Sequence, residues 1–415
     1  MTAFPPVSAE LKRSRAAVLA HFFILGVATA TWAARLPAIK TTLHLSDPQL
    51  GLALFSVPAG SVLTLVMSGK LTDRFGAVRV LRVAGVCVPV ALVTVGIGPE
   101  VNSLPAWIAA LVCYGALAGL LDVSMNACGA RLELAYGRPI LSSLHAGYSI
   151  AGLAGAGIGG IFALLALGPL VTFTAAAVPL TVLALAAGRL IVLPPPAARA
   201  DGTHGSALLS ARQIAIVIWV LGLLGLCGQL GEGSAGDWSA VYIRGLGSSA
   251  AVAATGLAAF SITMAAGRVV GDRLAARFGS VALVRCSGLV AGLGMTGGLL
   301  IHSPVAAIAG FALLGAGLAG IFPQLVSSAA RLDPEHAGRN IGRIAAVSYM
   351  GLLCGPVLIG AVAAGIGLRN ALLVPAGLAL LVAAVAGVLS PRDGRRDSVS
   401  AEEQEALREG MRNRS

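Results

Sequence analysis

An aspartate and an asparagine stand one helical turn apart inside a long apolar stretch. The segment reads Gly119-Leu-Leu-Asp122-Val-Ser-Met-Asn126. Side chains four residues apart on a helix share one face, so Asp122 and Asn126 would point together into a central cavity. Desolvation disfavours the charged form of a carboxyl group, which would let Asp122 exchange protons near neutral pH as a solute comes and goes. The alternative is a structural hydrogen bond between packed helices.

A histidine and a tyrosine interrupt the next apolar stretch, at Leu144-His145-Ala-Gly-Tyr148-Ser149. Histidine is the side chain most easily titrated at physiological pH. We expect His145 and Tyr148 to line the same cavity as Asp122, because the two stretches are consecutive. Simple packing of the histidine between helices is the competing interpretation.

A third polar group contains Gln229, Glu232, Asp237 and Trp238 among glycines, a composition typical of broken helices that line solute sites. Glu232 is the better candidate for the cavity. Asp237 and Trp238 fall near the outer membrane interface, where tryptophan commonly anchors a span.

Two further positions complete the candidate pathway. Pro323 precedes Gln324, and the proline would kink a helix and expose the amide, or serve packing alone. Arg35 lies near the outer end of the first apolar run. It would snorkel to the interface, or pair with an anionic solute or with Asp237.

The elements that must position these residues are membrane helices. The chain has 415 residues, of which 57% are hydrophobic and 11% charged, against roughly 25% charged in soluble domains. A helix needs ~20 apolar residues to cross ~30 Å of hydrocarbon. The runs are too long and too uniformly apolar for the alternating strands of a barrel. We predict twelve spans, near 16–39, 48–68, 80–99, 104–130, 140–167, 169–193, 212–236, 250–271, 281–301, 304–329, 341–366 and 369–390.

The basic residues orient these spans. Alternate loops place 25 of the 29 lysines and arginines on the side of the two termini, so both termini are predicted to be cytoplasmic. This tally counts Arg268 in a cytoplasmic loop. The net charge of +11 is explained by this topology and gives no indication of a nucleic-acid partner.

The chain divides into two halves of six spans. Residues 1–193 form the first, the proline-rich segment 194–211 a cytoplasmic linker, 212–390 the second half and 391–415 a charged cytoplasmic tail. In that tail, Ser400 and Glu403 have the spacing of a helix cap. Residues match between the halves at offsets of 200 to 203, such as Tyr148 with Tyr349 and Glu133 with Asp333. We therefore predict an all-α membrane protein with two pseudo-symmetric six-helix bundles.

The loop after the second span carries the most specific motif. Gly69-Lys-Leu-Thr-Asp73-Arg74-Phe-Gly76 resembles the major facilitator superfamily signature G-x-L-x-D-R-x-G. Its second-half counterpart keeps Arg277 and Gly279 but has Ala276 in place of the acid, with Asp272 one turn earlier. The resemblance implies that these residues lock the cytoplasmic side closed and release it as the halves rock. The alternative is a tight basic turn.

Within that superfamily the sequence looks closer to the fucose-permease-like branch and related bacterial inner-membrane proteins. The segments that show this resemblance are Trp32-Ala-Ala-Arg35-Leu-Pro37, those around Asp122 and His145, and Asp237-Trp238-Ser239. In fucose-type proton symporters the span-four acid takes part in sugar binding and proton coupling, a place matched by Asp122. Those symporters also carry an acid four residues before the span-one proline, where this chain has Ala33.

These observations predict a secondary transporter of the bacterial inner membrane. Its solute would be a sugar-like or other small polar metabolite, coupled to protons. Drug or metabolite efflux is one alternative, and a membrane sensor or scaffold without transport is another. The sequence has no Walker phosphate loop, no zinc motif and no nucleophile triad. We expect no enzymatic activity, cofactor or metal, and a monomer whose partners are the small-molecule substrate, protons and the bilayer.

Overall fold

The computed structural model describes residues 7–193 and 210–390. Within these ranges the chain is helical, without strands. The helices are α1 (Ala9–Ala34), α2 (Leu36–Thr42), α3 (Asp47–Leu54), α4 (Ser56–Phe75), α5 (Ala77–Glu100), α6 (Leu104–Tyr136), α7 (Leu141–Leu164), α8 (Pro169–Arg189), α9 (Ala211–Gly245), α10 (Ala250–Leu300), α11 (Pro304–Leu318), α12 (Ile321–Leu332), α13 (Ala337–Ile366), α14 (Leu368–Ala371) and α15 (Leu373–Val385), followed by a 3-10 helix (Ala386–Leu389).

The described helices make twelve membrane spans. Ten are long and apolar enough to cross a bilayer, and a bent pair of segments, Gln49–Leu65 and Met67–Phe75, is an eleventh. Helix α10 is one of these ten. Its 51 residues would extend about 76 Å if the helix were straight, which is too long for one span. Non-helical torsion angles at Gly279 divide it into two spans. Twelve spans are therefore confirmed.

Two glycines turn the chain at matching places in the halves. Gly76 separates α4 from α5 with φ 85° and ψ 131°, and Gly279 divides α10 with φ 79° and ψ 162°. Residues with a side chain rarely adopt these positive φ values, so glycine allows the sharp reversal of the chain. The last glycine of each signature-like motif thus has a conformational role.

The helix crossings also repeat. A Cβ atom on Gly115 would lie 2.0 Å from the carbonyl oxygen of Val57, and one on Gly315 would lie 2.2 Å from that of Phe260. The Thr64 hydroxyl donates to the carbonyl of Ala116 at 2.8 Å, just as Thr263 donates to Ala312 at 2.6 Å. Both halves therefore pack equivalent helices through a glycine contact, as expected for two pseudo-symmetric six-helix bundles.

The structure corrects three details of the sequence interpretation. The first helix ends at Ala34 rather than near residue 39, and Leu36–Thr42 is a separate short helix. Helix α9 runs unbroken to Gly245 through its polar, glycine-rich part. Arg268 lies inside α10, well before the turn at Gly279, and not in a loop.

The predicted linker 194–211, apart from its last two residues, and the predicted tail 391–415 lie outside the described residues, so the domain boundaries stay predictions. We call the end of the bundle at which α1 begins, and at which Gly76 and Gly279 turn the chain, the terminal face. The other end is the opposite face.

Candidate functional site

A cavity of about 330 Å³ lies between the two halves. We call it the central cavity. The first half contributes side chains from α1, α4, α6 and α7, and the second half contributes side chains from α9, α10, α12 and α13. Its polar lining consists of Thr29, Ser61, Tyr114, Asp122, His145, Tyr148, Gln229, Glu232, Arg268 and Tyr349. The cavity is thus large enough for a small solute and reaches both halves.

Asp122 lines the central cavity, and one of its carboxylate oxygens is incompletely hydrogen-bonded. Asn126 donates from its amide nitrogen to the Asp122 carbonyl at 2.9 Å and to Oδ1 at 3.2 Å. The other oxygen, Oδ2, is buried and makes no hydrogen bond of normal geometry. The hydroxyl of Tyr349, from the second half, interacts with this carboxyl group. A buried acceptor without a full partner can accept a proton or a solute hydroxyl.

His145 is connected to Asp122 through Asn126. The Asn126 oxygen lies 3.1 Å from His145 Nε2. Since the Asn126 nitrogen donates to Asp122, its oxygen accepts, and Nε2 is the protonated nitrogen of the ring. The ring is fixed by edge contacts to Phe22 at 5.0 Å and to Phe322 at 5.7 Å between centroids. Asn126 itself lies behind the cavity wall and links two residues that line it.

Arg268 is the cationic group of the central cavity. Its Nη1 donates to the Ser149 hydroxyl of the first half at 2.8 Å, and its Nη2 lies 3.9 Å from Glu232 Oε2. The Nε–H of Arg268 is buried without a hydrogen-bond partner. The guanidinium therefore contacts both halves and retains a donor for a solute oxygen.

Tyrosines supply the remaining polar surface. Tyr148 from α7 and Tyr349 from α13 line the cavity together with Tyr114, and the Tyr114 hydroxyl lies 3.1 Å from the Thr29 hydroxyl. Tyr148 and Tyr349 are the pair that the internal repeat matches, so the pseudo-symmetry brings equivalent residues to the two sides of the cavity.

Of the residues predicted for the pathway, Asp122, His145, Tyr148 and Glu232 line the cavity, with Asn126 directly behind them. The other four lie elsewhere. Gln324 is 1% exposed and accepts a hydrogen bond from the Ser280 hydroxyl at 2.7 Å. Buried Arg35 donates to the carbonyl of Leu167. Asp237 is exposed on α9, and the Trp238 ring packs over Gly360.

At the terminal face the first half contacts the second through α4 and α13. A Cβ atom on Gly69 would lie 2.7 Å from Arg339 Cα, so glycine is required for this approach. Asp73 Oδ2 lies 3.4 Å from Arg339 Nε. Arg74 instead stacks over the Phe75 ring at 5.3 Å. The motif acid therefore holds the start of α13, in the other half.

The second contact at the terminal face is the pseudo-symmetric equivalent of the first. Asp272 of α10 accepts hydrogen bonds from the backbone N–H groups of Ser142 at 2.8 Å and Ser143 at 3.0 Å, at the start of α7. A carboxylate is stabilised there by the partial positive charge of the helix N-terminus. Asp272 thus contacts α7 as Asp73 contacts α13, although it stands one turn from the expected position. Arg277 stacks over Phe278 at 5.3 Å, as Arg74 stacks over Phe75.

Glu133 completes the cap on α7 from within the first half. Its Oε2 accepts the backbone N–H groups of Ile140 at 2.9 Å and Leu141 at 3.1 Å. Its Oε1 accepts the Ser327 hydroxyl of the second half and lies 3.5 Å from Arg331 Nη1. Four consecutive backbone N–H groups, from Ile140 to Ser143 at the start of α7, are therefore satisfied by one acid from each half.

Sequence reasoning missed three of these residues. Arg268 was assigned to a loop because charge counting cannot place an arginine within a span. Tyr349 and Glu133 appeared only as repeat matches, to Tyr148 and Asp333. The repeat was the available signal, since a residue equivalent to a cavity residue is itself a cavity candidate.

Fold and site together define a polytopic membrane protein with a solute-sized cavity between two similar halves. The chain matches the family model described as Major Facilitator Superfamily over residues 17–251 and 221–414. It belongs to this superfamily of membrane transporters.

Two curated relatives agree with this assignment. An uncharacterized transporter, y4wD, of Sinorhizobium fredii is 32% identical over 373 residues, which are 90% of this chain and 97% of the relative. An uncharacterized MFS-type transporter of Yersinia pestis is 34% identical over 347 residues, which are 82% of this chain and 87% of the relative.

Solved structures share the fold at low identity. The transporter FucP in its outward conformation has a TM-score of 0.73 at 17% identity, over 91% of this chain and 98% of FucP. The proton:xylose symporter XylE has a TM-score of 0.69 at 13% identity, over 93% of this chain and 97% of XylE. These likenesses confirm the predicted fold.

Proposed function

We propose that this chain is a secondary active transporter of the bacterial inner membrane that carries a small polar solute coupled to protons. The observation that carries this proposal is the buried, incompletely hydrogen-bonded Oδ2 of Asp122, in a cavity lined by both halves. The solute would bind there, and rocking of the halves would expose it to either side of the membrane in turn.

The lining favours a sugar-like or other hydrogen-bonding metabolite over an apolar drug. Besides Asp122, it offers Glu232, Arg268, Gln229 and several hydroxyl groups within about 330 Å³. A site rich in donors and acceptors discriminates strongly against molecules that leave these groups unpaired. Two symporter-type neighbours, FucP and XylE, share the fold, although at identities that carry no substrate assignment.

Proton coupling would pass through Asp122. Burial makes the charged carboxylate costly, so proton uptake by Asp122 would accompany solute movement. Hydrogen bonds connect Asp122 through Asn126 to His145. These hydrogen bonds could rearrange when the carboxyl group becomes a donor. Protonation of Asp122 would also change its interaction with Tyr349 of the second half, because the Tyr349 hydroxyl interacts with the carboxyl group.

The gate would be the pair of terminal-face contacts. The terminal face carries the basic loops, and we take it as cytoplasmic. The contact of Asp73 with α13 and the contact of Asp272 with α7 would hold that side closed. Gly69 would allow the close approach, and Gly76 and Gly279 would shape the turns. In this proposal the structure represents the outward-facing state, and transport requires both contacts to break.

Reconstituted liposomes would test the coupling. We expect the protein to acidify liposomes containing a pH-sensitive dye when a transported solute is added outside, and Asp122→Asn to abolish this proton signal while leaving solute counterflow measurable. Asp237→Asn is the matched control, because it removes the same charge from the same membrane domain at an exposed position outside the cavity. Wild-type proton movement in Asp122→Asn would refute the proposed coupling.

The solute would first be identified by thermal shift of the purified protein with sugars, sugar acids, amino acids and antimicrobials. A stabilising polar ligand that also exchanges by counterflow is the expected result. Specific binding without flux would instead indicate a sensor, and stabilisation by antimicrobials alone would indicate efflux. The protein is proposed to have no enzymatic activity and to act as a monomer.

A further inference from the structure

A second cavity, of about 340 Å³, opens at the terminal face between α1, α7 and α10. We call it the basic pocket. Three arginines line it: Arg15 from α1, Arg138 from the loop before α7, and Arg273 from α10. The first two belong to the first half and the third to the second half, so the pocket lies across the seam.

The contacts that hold the arginines of the basic pocket come from uncharged side chains. Tyr136 holds two of them by cation–π contacts, with Arg15 at 5.8 Å and Arg138 at 5.9 Å from its ring centre. Arg15 also donates to the Ser143 hydroxyl at 2.8 Å. The acid in the lining, Asp272, already accepts two backbone N–H groups of α7. Among the described residues, no carboxylate forms an ion pair with Arg138 or Arg273.

Three guanidinium groups around one cavity repel each other, and an anion between them would relieve this repulsion. Guanidinium groups match the oxygens of a phosphate group in geometry and in charge. The carboxylates that could otherwise neutralise them are absent from the pocket lining apart from Asp272. The pocket therefore fits a phosphate group.

Exposed apolar residues indicate where that phosphate comes from. On α1, Leu19 follows Arg15 by one turn toward the membrane centre and is 36% exposed. On α10, Val269 precedes Arg273 by one turn, also toward the centre, and is 47% exposed. With the terminal face at the headgroup layer, each helix would place an arginine among the headgroups and an apolar residue among the acyl chains. A soluble phosphate would make no use of this second layer.

We propose that the basic pocket binds the headgroup phosphate of an anionic phospholipid from the leaflet at the terminal face. The lipid bridges Arg15 and Arg138 of the first half to Arg273 of the second. Because it lies beside the Asp272 contact with α7, it stabilises the arrangement in which the terminal face is closed. The inference concerns a site separate from the central cavity and does not depend on the transported solute.

Thermal unfolding of the purified full-length protein in detergent tests this site. Phosphatidylglycerol, phosphatidylcholine and inorganic phosphate are titrated separately at one ionic strength. We expect phosphatidylglycerol to raise the unfolding temperature more than phosphatidylcholine. In Arg138→Gln and Arg273→Gln, the half-saturating concentration of phosphatidylglycerol rises about fivefold, as expected for the loss of one basic contact at the membrane surface.

Arg285→Gln is the matched control, since Arg285 is exposed on α10 but outside the pocket. It should retain the wild-type response. Each variant is compared with itself in phosphatidylcholine, so a change in basal stability does not affect the result. Equal responses to the two lipids, or equal losses in Arg285→Gln and Arg273→Gln, would overturn the proposal. Stabilisation by inorganic phosphate without a phosphatidylglycerol effect would also overturn it, by assigning the site to a soluble anion.

Discussion

The most informative perturbation of the proposed gate is Asp272→Asn. The Asp272 carboxylate accepts N–H groups at 2.8 and 3.0 Å from the start of α7, which belongs to the other half. Asparagine keeps the shape but replaces one accepting oxygen with an NH2 group that faces a donor. It also removes the negative charge from the helix N-terminus. Both losses affect only the state in which the halves touch at the terminal face.

The magnitude follows from these contacts. A hydrogen bond to a charged group contributes about 1.5–3 kcal/mol. Asp272 is half-buried, so water would compensate part of the loss, and we expect a shift of about 2 kcal/mol toward opening. Since 1.4 kcal/mol corresponds to a factor of ten, the open population should rise by about 30-fold.

Hydrogen–deuterium exchange measured by mass spectrometry detects this shift without an attached probe. Peptides at the start of α7 would lose protection simply because a local hydrogen bond is weakened. The diagnostic peptide is 337–343, at the start of α13, which does not contact Asp272 directly. If the two contacts open together, its exchange should accelerate by a similar factor.

Glu335→Gln is the matched control, because it neutralises an exposed acid at the terminal face. It should leave both peptides unchanged. If Asp272→Asn accelerates exchange in α7 but leaves peptide 337–343 at its wild-type rate, the two contacts do not form one gate and the reasoning is wrong.

Three further predictions concern the gate, the helix packing and the cavity. Asp73→Asn should slow transport while protein level and membrane insertion stay normal, and unchanged uptake in liposomes would contradict a gating role. Gly315→Ala should lower the unfolding temperature, because the new Cβ would lie 2.2 Å from a backbone oxygen of α10. Overpacking of this kind costs about 1–3 kcal/mol. The control Gly297→Ala, whose Cβ would meet open space, should be neutral or stabilising. Arg268→Lys should raise the KM of solute counterflow more than it lowers the maximal rate, because one ammonium group cannot contact Ser149 and still offer a planar donor pair. Equal KM values for wild type and this variant would exclude direct binding by the guanidinium.

Much of the architecture follows from the sequence alone. Apolar runs long enough to cross a bilayer must form helices, because backbone groups cannot remain unpaired in hydrocarbon. The count of twelve and the two similar halves were therefore predictable. The position of Asp122 in the cavity was also predictable, because an ionisable residue is costly to bury in a membrane. The motif around Asp73 was recognisable because its spacing is local.

Only the tertiary structure decided which polar residues meet. Gln324 and Arg35 are polar residues near or within apolar runs of the sequence, as Asn126 and Glu232 are. Yet each of them makes its hydrogen bond within its own half, away from the cavity. Arg268 was counted as a loop residue until the helix was seen to continue past it to Gly279. Asp272 stands one turn from the motif position and still reaches α7, because the relative placement of the two halves sets that distance. Helix formation depends on neighbours in the chain, whereas the cavity and the proposed gate also depend on contacts between distant residues, such as Arg268 with Ser149 and Asp272 with Ser142.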